Sequence, residues 1–400
     1  MTHSVYITRT AVVTPLGEGS DALFTGLMEK RSGIGVISRF DTGKTASSFA
    51  GTIPLLDTVH GSPRILDGSP RILDGSPRIL DGSPRILGLT DILLDQLGKV
   101  DQDTRLIVAS TKAGIENVER GENQDALSKG IFMSGLTDYI SRKLKLNNAG
   151  ININAACASS TIAIAKGAAL IRAGAADAVL VCCMDVVSRF VFTGFSALGA
   201  MSREPARPFD RHRNGLTLGE GAAAVLLMNS ARTKESAIEL PVKISGWGIA
   251  GDAVHLTAPA RNGMGLKRAV GAACRMAGMD PVDIFAVNTH GTGTIYNDAM
   301  ELEVLKSIFD PDRVVANSIK GAIGHTLGAA GGIEVVLCKK MIEKGIMVPT
   351  KGLETPEKSA GKMILMEPAI LTQNRILTIN SGFGGINAAL LIEGISWNEI

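Results

Sequence analysis

A cysteine lies at a predicted strand-to-helix corner near the middle of this chain of 400 residues. Ile151 and Ile153 alternate with asparagines, which predicts a short strand, and a long alanine-rich segment of helical character follows Cys157. Free backbone N–H groups at a helix start favour thiolate over thiol, so we expect the pKa of Cys157 to be lowered. Small neighbours leave room for a substrate carbonyl, as at a nucleophile elbow. Most free cysteines are small buried side chains, so Cys157 alone does not decide its role.

Two histidines occupy similar glycine-rich corners in the second half of the chain. His290 follows a predicted strand in the motif Asn-Thr-His-Gly-Thr-Gly-Thr. His325 follows Ser-Ile-Lys-Gly-Ala-Ile-Gly and precedes a predicted helix rich in alanine and glycine, Thr326 to Lys340. One histidine at such a corner is more often structural, but glycine allows close backbone approach at all three corners. We therefore predict that Cys157, His290 and His325 share one site.

The elements that must position these residues alternate between strand and helix, which indicates α/β layers. The chain opens with a predicted strand over 5–13, and a helix over 22–30 is capped by Ser20 or Asp21. The apolar run over 178–184 lacks alternation, which is typical of a parallel or doubly covered sheet.

A polar break over 234–241 predicts two halves. The first, residues 1–240, carries the cysteine, and the second, residues 241–400, carries both histidines.

A seven-residue unit, Gly-Ser-Pro-Arg-Ile-Leu-Asp, recurs over 61–88. A proline and a glycine in every unit exclude a continuous helix, and repeat architectures use longer units. We interpret the segment as a tandem duplication that forms an exposed loop.

Composition excludes several function classes. Lysine plus arginine (41) nearly balances aspartate plus glutamate (39), and aromatic residues are 4%, which argues against nucleic-acid binding. The five cysteines form no C-x-x-C pair, so neither a zinc site nor a disulfide framework is predicted. No apolar run reaches membrane-spanning length and the first residues lack the charged-then-apolar profile of a signal peptide, so we expect a cytoplasmic protein without membrane contact.

Several motifs together resemble one family. Ala-Ala-Cys157-Ala-Ser-Ser, the His290 motif, Lys320-x-x-x-x-His325 with its glycines, and Asn380-Ser-Gly-Phe-Gly-Gly-Ile-Asn resemble the elongating β-ketoacyl-[acyl-carrier-protein] synthases of the Cys-His-His type. Val-Val-Thr-Pro-Leu-Gly17 and Arg207-Pro-Phe-Asp extend the resemblance over nearly the whole chain. The Lys-x-x-x-x-His segment is the most specific piece.

The resemblance implies an α/β, thiolase-like fold of two similar halves in a five-layer αβαβα arrangement, usually paired as a dimer. It implies that Cys157 takes an acyl group from acyl carrier protein, with an oxyanion hole formed by the N–H groups of Cys157 and Phe383. His290 and His325 would then hold the malonyl thioester carbonyl while CO2 leaves, and the resulting carbanion would attack the acyl group.

Further roles are implied for neighbouring residues: an electropositive site (Lys320), pantetheine binding (Thr292 and Thr294), gating (Phe383) and support of the site (Glu334, Asp298 and Glu301). No metal or organic cofactor is implied, because the phosphopantetheine arm of the carrier brings the substrate. The expected partners are that carrier and a second synthase chain, identical or related.

Alternatives remain beside this interpretation. A chain-length-factor-like subunit that needs a catalytic mate typically lacks the nucleophile, which is present here. A thiolase acting on CoA esters would use a second cysteine late in the chain, but Cys338 lies within a predicted helix. A cysteine hydrolase would need an Asp or Asn to orient a histidine. Departures from the family pattern, such as Asn214, Leu216 and Ile386, leave the acyl type open.

Overall fold

The computed structural model describes residues 3–57, 84–119, 132–234 and 241–395. Within these ranges, no helix combines the length and apolarity needed to cross a membrane. The strands in chain order are β1 (Tyr6–Thr14), β2 (Gly17–Glu18), β3 (Ile34–Val36), β4 (Phe49–Gly51), β5 (Arg105–Ala109), β6 (Ile151–Ile153), β7 (Ala178–Asp185), β8 (Leu218–Gly219), β9 (Gly221–Met228), β10 (Val242–Gly251), β11 (Ala286–Asn288), β12 (Val315–Asn317), β13 (Ile346–Met347), β14 (Ala369–Ile370), β15 (Arg375–Gly382) and β16 (Ile386–Gly394).

The α-helices of the same ranges are α1 (Ser20–Met28), α2 (Arg85–Leu97), α3 (Glu116–Glu119), α4 (Met133–Leu144), α5 (Ser159–Arg172), α6 (Arg189–Ala197), α7 (Ser230–Lys234), α8 (Met264–Ala277), α9 (Ile295–Ile308), α10 (Lys320–Ile323) and α11 (Ala330–Lys344). Short 3-10 helices cover Pro54–Leu56, Pro281–Asp283, Leu327–Ala329 and Lys358–Ala360.

The main sheet is built twice on one plan. Its strand order is β12-β11-β15-β16-β10-β1-β9-β7-β5-β6. When the strands are numbered within each group of five, both groups have the order 3-2-4-5-1, and the first strands, β1 and β10, join the groups through a short antiparallel pairing. In each group the second strand pairs in parallel with the third and fourth, and the fourth pairs antiparallel with the fifth.

Helices cover the two strand groups in layers. α5 and α11 contact each other and strands of both groups, so they form the middle layer. α2 and α4 pack on the outer face of the first group, and α8 packs with α9 on the second. A Cβ on Gly331 of α11 would lie 1.9 Å from Thr161 Oγ1 of α5, so the close approach of the two helices requires glycine there. The predicted five-layer αβαβα arrangement is confirmed.

Two local predictions are wrong for identifiable reasons. α1 begins at Ser20, and the capping position is Gly19 with no side-chain cap, so neither Ser20 nor Asp21 caps it. The end of the fourth repeat is not a loop, because Arg85 opens α2 and is only 5% exposed. Its guanidinium pairs with the buried Glu220 at 2.6 Å. Because Glu220 lies far away in the sequence, the repeat itself gives no indication of this ion pair. The preceding copies, within 58–83, lie outside the described residues.

Other sequence predictions agree with the structure. Cys182 and Cys183 are buried within β7, and Cys338 is buried within α11. The polar break falls on residues 235–240, which lie outside the described residues, so the boundary at 240 stays a prediction.

Candidate active site

The three predicted corners meet at one cavity. Cys157 lies between β6 and α5, His290 follows β11, and His325 lies between β12 and α11. All three line a cavity of about 360 Å³ together with Phe383. The centroids of the two imidazole rings are 5.1 Å apart, with the rings perpendicular. The structure thus brings a thiol and two imidazoles from distant parts of the chain to the same space.

The Cys157 thiol is held at a tight turn just before α5. The preceding residue, Ala156, has φ +48°, a left-handed conformation that is uncommon outside glycine, and its small side chain limits the strain. The backbone N–H groups of Cys157 and Phe383 hydrogen-bond toward the thiol. These two donors are positioned for a negative charge that develops beside the sulfur.

The expected lowering of the Cys157 pKa is wrong. Burial raises the pKa of this thiol to about 11, although the Lys320 charge and the two backbone N–H groups act in the opposite direction. Removal of water from the thiolate outweighs the stabilisation expected from the helix start. The Cys157 side chain at rest is therefore a neutral thiol at physiological pH.

Alkylation of Cys157 by iodoacetamide should report this directly. Because only the thiolate reacts, the rate should rise about tenfold per pH unit from pH 7 to 9, without a plateau. Intact-protein mass spectrometry at each pH, followed by peptide mapping, measures the rate at this residue. A plateau near pH 7 would show a thiolate already formed in the resting site.

Asn380 fixes the protonation of His290. Its Nδ2 donates to Glu334 Oε2 at 2.7 Å and lies 3.2 Å from His290 Nδ1, while the Thr161 hydroxyl donates to its Oδ1. A carboxylate can only accept, so the amide nitrogen must face both Glu334 and the imidazole. Nδ1 of His290 is then an acceptor, and the proton of the neutral ring resides on Nε2.

Lys320 supplies the charge of the site. It is 2% exposed, and its Nζ lies 2.5 Å from Glu334 Oε1. Burial and the Lys320 charge both hold the pKa of His290 and of His325 well below the usual range. Both imidazoles are therefore neutral at physiological pH, and each retains one N–H donor.

Two carboxylates shape the loop after His290. Glu301 accepts the backbone N–H groups of His290 and Gly291, both at 2.7 Å. Asp298 accepts those of Thr292 and Gly293. The hydroxyls of Thr292 and Thr294 lie 2.9 Å apart, and both residues line the cavity. The predicted supporting residues Asp298 and Glu301 thus hold the loop that carries both threonines, whereas Glu334 contacts Lys320 and Asn380.

The entrance to the cavity is aromatic and apolar. The Phe383 ring stacks on Phe195 of α6 at 5.5 Å between centroids. Leu198, Ile295 and Tyr296 line the outer part and are more than half exposed. A guest that enters this cavity would therefore pass an apolar rim before reaching the polar groups.

The arrangement suits chemistry at a carbonyl group. A buried thiol lies beside two backbone N–H donors, and two neutral imidazoles lie in the wall of the same cavity. Such donors stabilise negative charge on an oxygen in a low-dielectric site. Among the described residues, no three His, Cys, Asp or Glu side chains are grouped so that they could hold a metal ion.

Sequence reasoning missed several contacts of this site. Asn380 was part of a quoted motif without a role, and Thr161 and Phe195 carried no signal at all. Asp185, at the end of β7, accepts hydrogen bonds from two other corners. These contacts join residues far apart in the chain, so no local pattern could have indicated them.

Nearly the whole chain is similar to known proteins. Residues 97–232 match the model "Beta-ketoacyl synthase, N-terminal domain", and residues 242–354 match "Beta-ketoacyl synthase, C-terminal domain". The 3-oxoacyl-[acyl-carrier-protein] synthase 2 of Rhizobium meliloti is 28% identical over 97% of this chain and 98% of its own length.

Two solved structures share the fold. The ishigamide ketosynthase/chain length factor is 26% identical, with a TM-score of 0.83, and covers 99% of this chain and 100% of its own. A type II PKS acyl-carrier protein in complex with its ketosynthase gives a TM-score of 0.81 over 99% of this chain and 100% of that chain at 21% identity, which supports the fold alone.

Proposed function

Since this chain belongs to the beta-ketoacyl synthase family of acyltransferases in fatty-acid and polyketide synthesis, we propose that it extends an acyl chain by two carbons. The acyl group would be held on Cys157, and malonyl-[acyl-carrier-protein] would supply the two carbons with loss of CO2. The first half, residues 1–240, would contribute the nucleophile, and residues 241–400 would contribute both histidines.

The first step is acyl transfer. The sulfur of Cys157 attacks the thioester carbonyl of the acyl carrier, and the carrier thiol leaves with the proton that the Cys157 thiol loses. The N–H groups of Cys157 and Phe383 stabilise the oxyanion between these events. A thiol with a raised pKa gives up its proton during the attack, and the leaving sulfur of the carrier takes it up.

The second step is decarboxylative condensation. Malonyl-carrier binds with its thioester oxygen at His290 and His325, and the bond to the carboxylate breaks with release of CO2. The electron pair forms an enolate whose charge lies on that oxygen. The enolate carbon attacks the acyl carbonyl, the Cys157 sulfur leaves and recovers a proton, and the product remains on the carrier.

The observation that carries the proposal is the pair of neutral imidazoles beside a cysteine. Lys320 and burial keep both rings neutral. The Asn380 amide faces Nδ1 of His290, so the N–H donor of this ring is on Nε2 and points away from Asn380. Two N–H donors at one oxygen are what an enolate requires, whereas a hydrolase would need an imidazole oriented to activate water.

We also propose an acyl carrier protein as the partner that delivers substrate. Cys157 is buried in the wall of the 360 Å³ cavity, so a thioester must enter this cavity to reach the thiol, as a substrate on a flexible arm can. Thr292 and Thr294 offer hydroxyls along this path, and the apolar rim fits contact with an acyl chain.

A second synthase chain, identical or related, is the other proposed partner. β6 ends the strand order of the described sheet, and its Ile151 is exposed. Val118, Phe132 and Phe190 are also exposed. Apolar side chains at an edge strand favour association, and light scattering of the purified chain, alone and with a candidate mate, measures it.

The proposed function is tested by incubating the purified chain with acyl-carriers of several lengths and then adding malonyl-carrier. We expect an acyl adduct on Cys157 by intact-protein mass spectrometry, which malonyl-carrier discharges with release of CO2. Absence of an adduct from every acyl-carrier would contradict a self-sufficient enzyme and favour a chain-length-factor-like subunit that requires a mate.

Replacing Asn380 tests the protonation state of His290. In Asn380→Asp a carboxylate faces Nδ1, which should raise the pKa of His290 and move its proton from Nε2 to Nδ1. We expect malonyl-carrier decarboxylation to fall about tenfold to a hundredfold at pH 7.5, and to recover in part as the pH is lowered, because the imidazolium carries a proton on both nitrogens and so regains the Nε2 donor. A rate equal to wild type across pH 6–8 would contradict the assignment.

A further inference from the structure

We propose that Asp185 is a positioning residue, which holds the backbone after His325 in the conformation that decarboxylation requires. The proposal rests on the proposed function and adds a residue that none of the site motifs contains. Asp185 is the last residue of β7, in the first strand group, whereas His325 follows β12 in the second.

The Asp185 carboxylate joins three corners. It is fully buried, and its Oδ1 accepts the Ser110 hydroxyl at 2.8 Å. The backbone N–H of Thr111 lies 3.0 Å from both oxygens, and the Thr111 hydroxyl lies 3.0 Å from Oδ2. The shortest contact is from the backbone N–H of Gly328 to Oδ2, at 2.7 Å. Gly328 lies in the turn that connects His325 to α11.

This turn is strained at the residue before the contact. Leu327 has φ +54°, a left-handed conformation that a bulky side chain rarely adopts. The hydrogen bond from Gly328 to Asp185 directly follows the strained residue, so it can hold that conformation. A Cβ on Gly328 would lie 2.8 Å from Asp185 Oδ2, which is closer than real contacts, so the carboxylate and the turn fit only with glycine.

Hydrogen bonds hold the backbone of His325 at its N–H group, at its carbonyl group and again in the following turn. Its N–H donates to the Thr217 carbonyl at 2.7 Å, and its carbonyl accepts the Gly219 N–H at 2.9 Å. The Asp185 contact fixes the chain three residues later. Because α11 continues from this turn and carries Glu334, a shift of the turn would move both the imidazole and the partner of Lys320.

Because Asp185 is charged, packing alone does not explain why this residue is buried here. No lysine, arginine or histidine forms an ion pair with it among the described residues. Burial raises the pKa of Asp185 to about 6, while the Ser110, Thr111 and Gly328 donors oppose this rise, so the group is an acceptor carboxylate at pH 7.5. A buried charge without an ion-pair partner costs free energy. In the proposal, this cost is offset because the Asp185 carboxylate orders the hydrogen-bond donors around it.

The test separates the two half-reactions. In a Cys157→Gln parent, Asp185→Asn should lower malonyl-carrier decarboxylation at least tenfold, because the amide presents N–H groups to donors that need an acceptor. With Cys157 intact, Asp185→Asn should form the acyl adduct within threefold of the wild-type rate. The Asp185 charge raises the pKa of Cys157, so its removal does not hinder thiolate formation.

Two further variants keep the test decisive. Gly328→Ala, which crowds the same oxygen from the other side, should give the same split even if Asp185→Asn fails to fold. Ser110→Ala removes one donor but leaves the Gly328 contact, so its loss of decarboxylation should be smaller than that of Asp185→Asn. Equal losses in both half-reactions, or no loss of decarboxylation in Asp185→Asn and Gly328→Ala, would overturn the proposal. A Cys157→Gln parent that releases no CO2 would instead overturn the proposed function.

Discussion

Cys157→Gln is expected to abolish condensation, by a factor of about 10⁴ or more, while malonyl-carrier decarboxylation persists. In the proposed mechanism the acyl group has no other attachment point, whereas the enolate charge is stabilised by His290 and His325, which the substitution leaves in place. The glutamine carbonyl also occupies the space beside the N–H groups of Cys157 and Phe383, where an acyl oxygen would lie.

The measurement pairs product formation with CO2 release from malonyl-carrier in the same reaction mixture. Cys274→Ala is the matched control, since this cysteine is also buried but lies in α8 on an outer layer. It should retain both activities. If Cys157→Gln loses decarboxylation together with condensation, the separation of nucleophile and enolate site is wrong.

The second large effect is expected for His325→Ala, which should lower decarboxylation by about 10²–10³-fold. The variant removes one of two neutral N–H donors from a buried site, and water that enters the gap is a poorer, less ordered donor. Acyl transfer to Cys157 should stay measurable, because the backbone donors beside the thiol are unchanged.

A stopped assay that follows CO2 release and acyl-adduct mass in parallel distinguishes the two steps. His212→Ala serves as control, because this histidine is exposed and does not line the cavity. Undiminished decarboxylation in His325→Ala would mean that the enolate is stabilised elsewhere, and loss of the adduct alone would assign His325 to acyl transfer.

The parts of the site that the sequence predicts are those that local pattern determines. A corner needs a strand, small residues and a helix start, and these are contiguous for Cys157, His290 and His325. The corners meet in space because of the order of the strands in the sheet. The alternation of strands and helices along the sequence predicts the class of fold but not this order. The long-range pairing of β1 with β10 is a property of the folded chain.

What the sequence did not predict depends on burial. The direction of the Cys157 pKa shift follows from how completely water is excluded, and the helix-start argument contains no information on this. Arg85 was interpreted as a loop residue because every repeat unit contains a proline and a glycine, and its buried partner, Glu220, is 135 residues away in the sequence. The contacts of Asp185 and Asn380 are of the same kind: each joins corners of different strands.

The doubled strand plan has an evolutionary consequence. A sheet group that recurs with one order is what duplication of an ancestral half would leave, and each copy inherits the same set of strand-end corners. The two groups differ in their side chains: one has a sulfur at the end of its third strand, and the other has imidazoles at the ends of its second and third. Selection can therefore tune the nucleophile and the enolate site through separate stretches of the gene, with α5 and α11 as the shared boundary where compensating changes must occur.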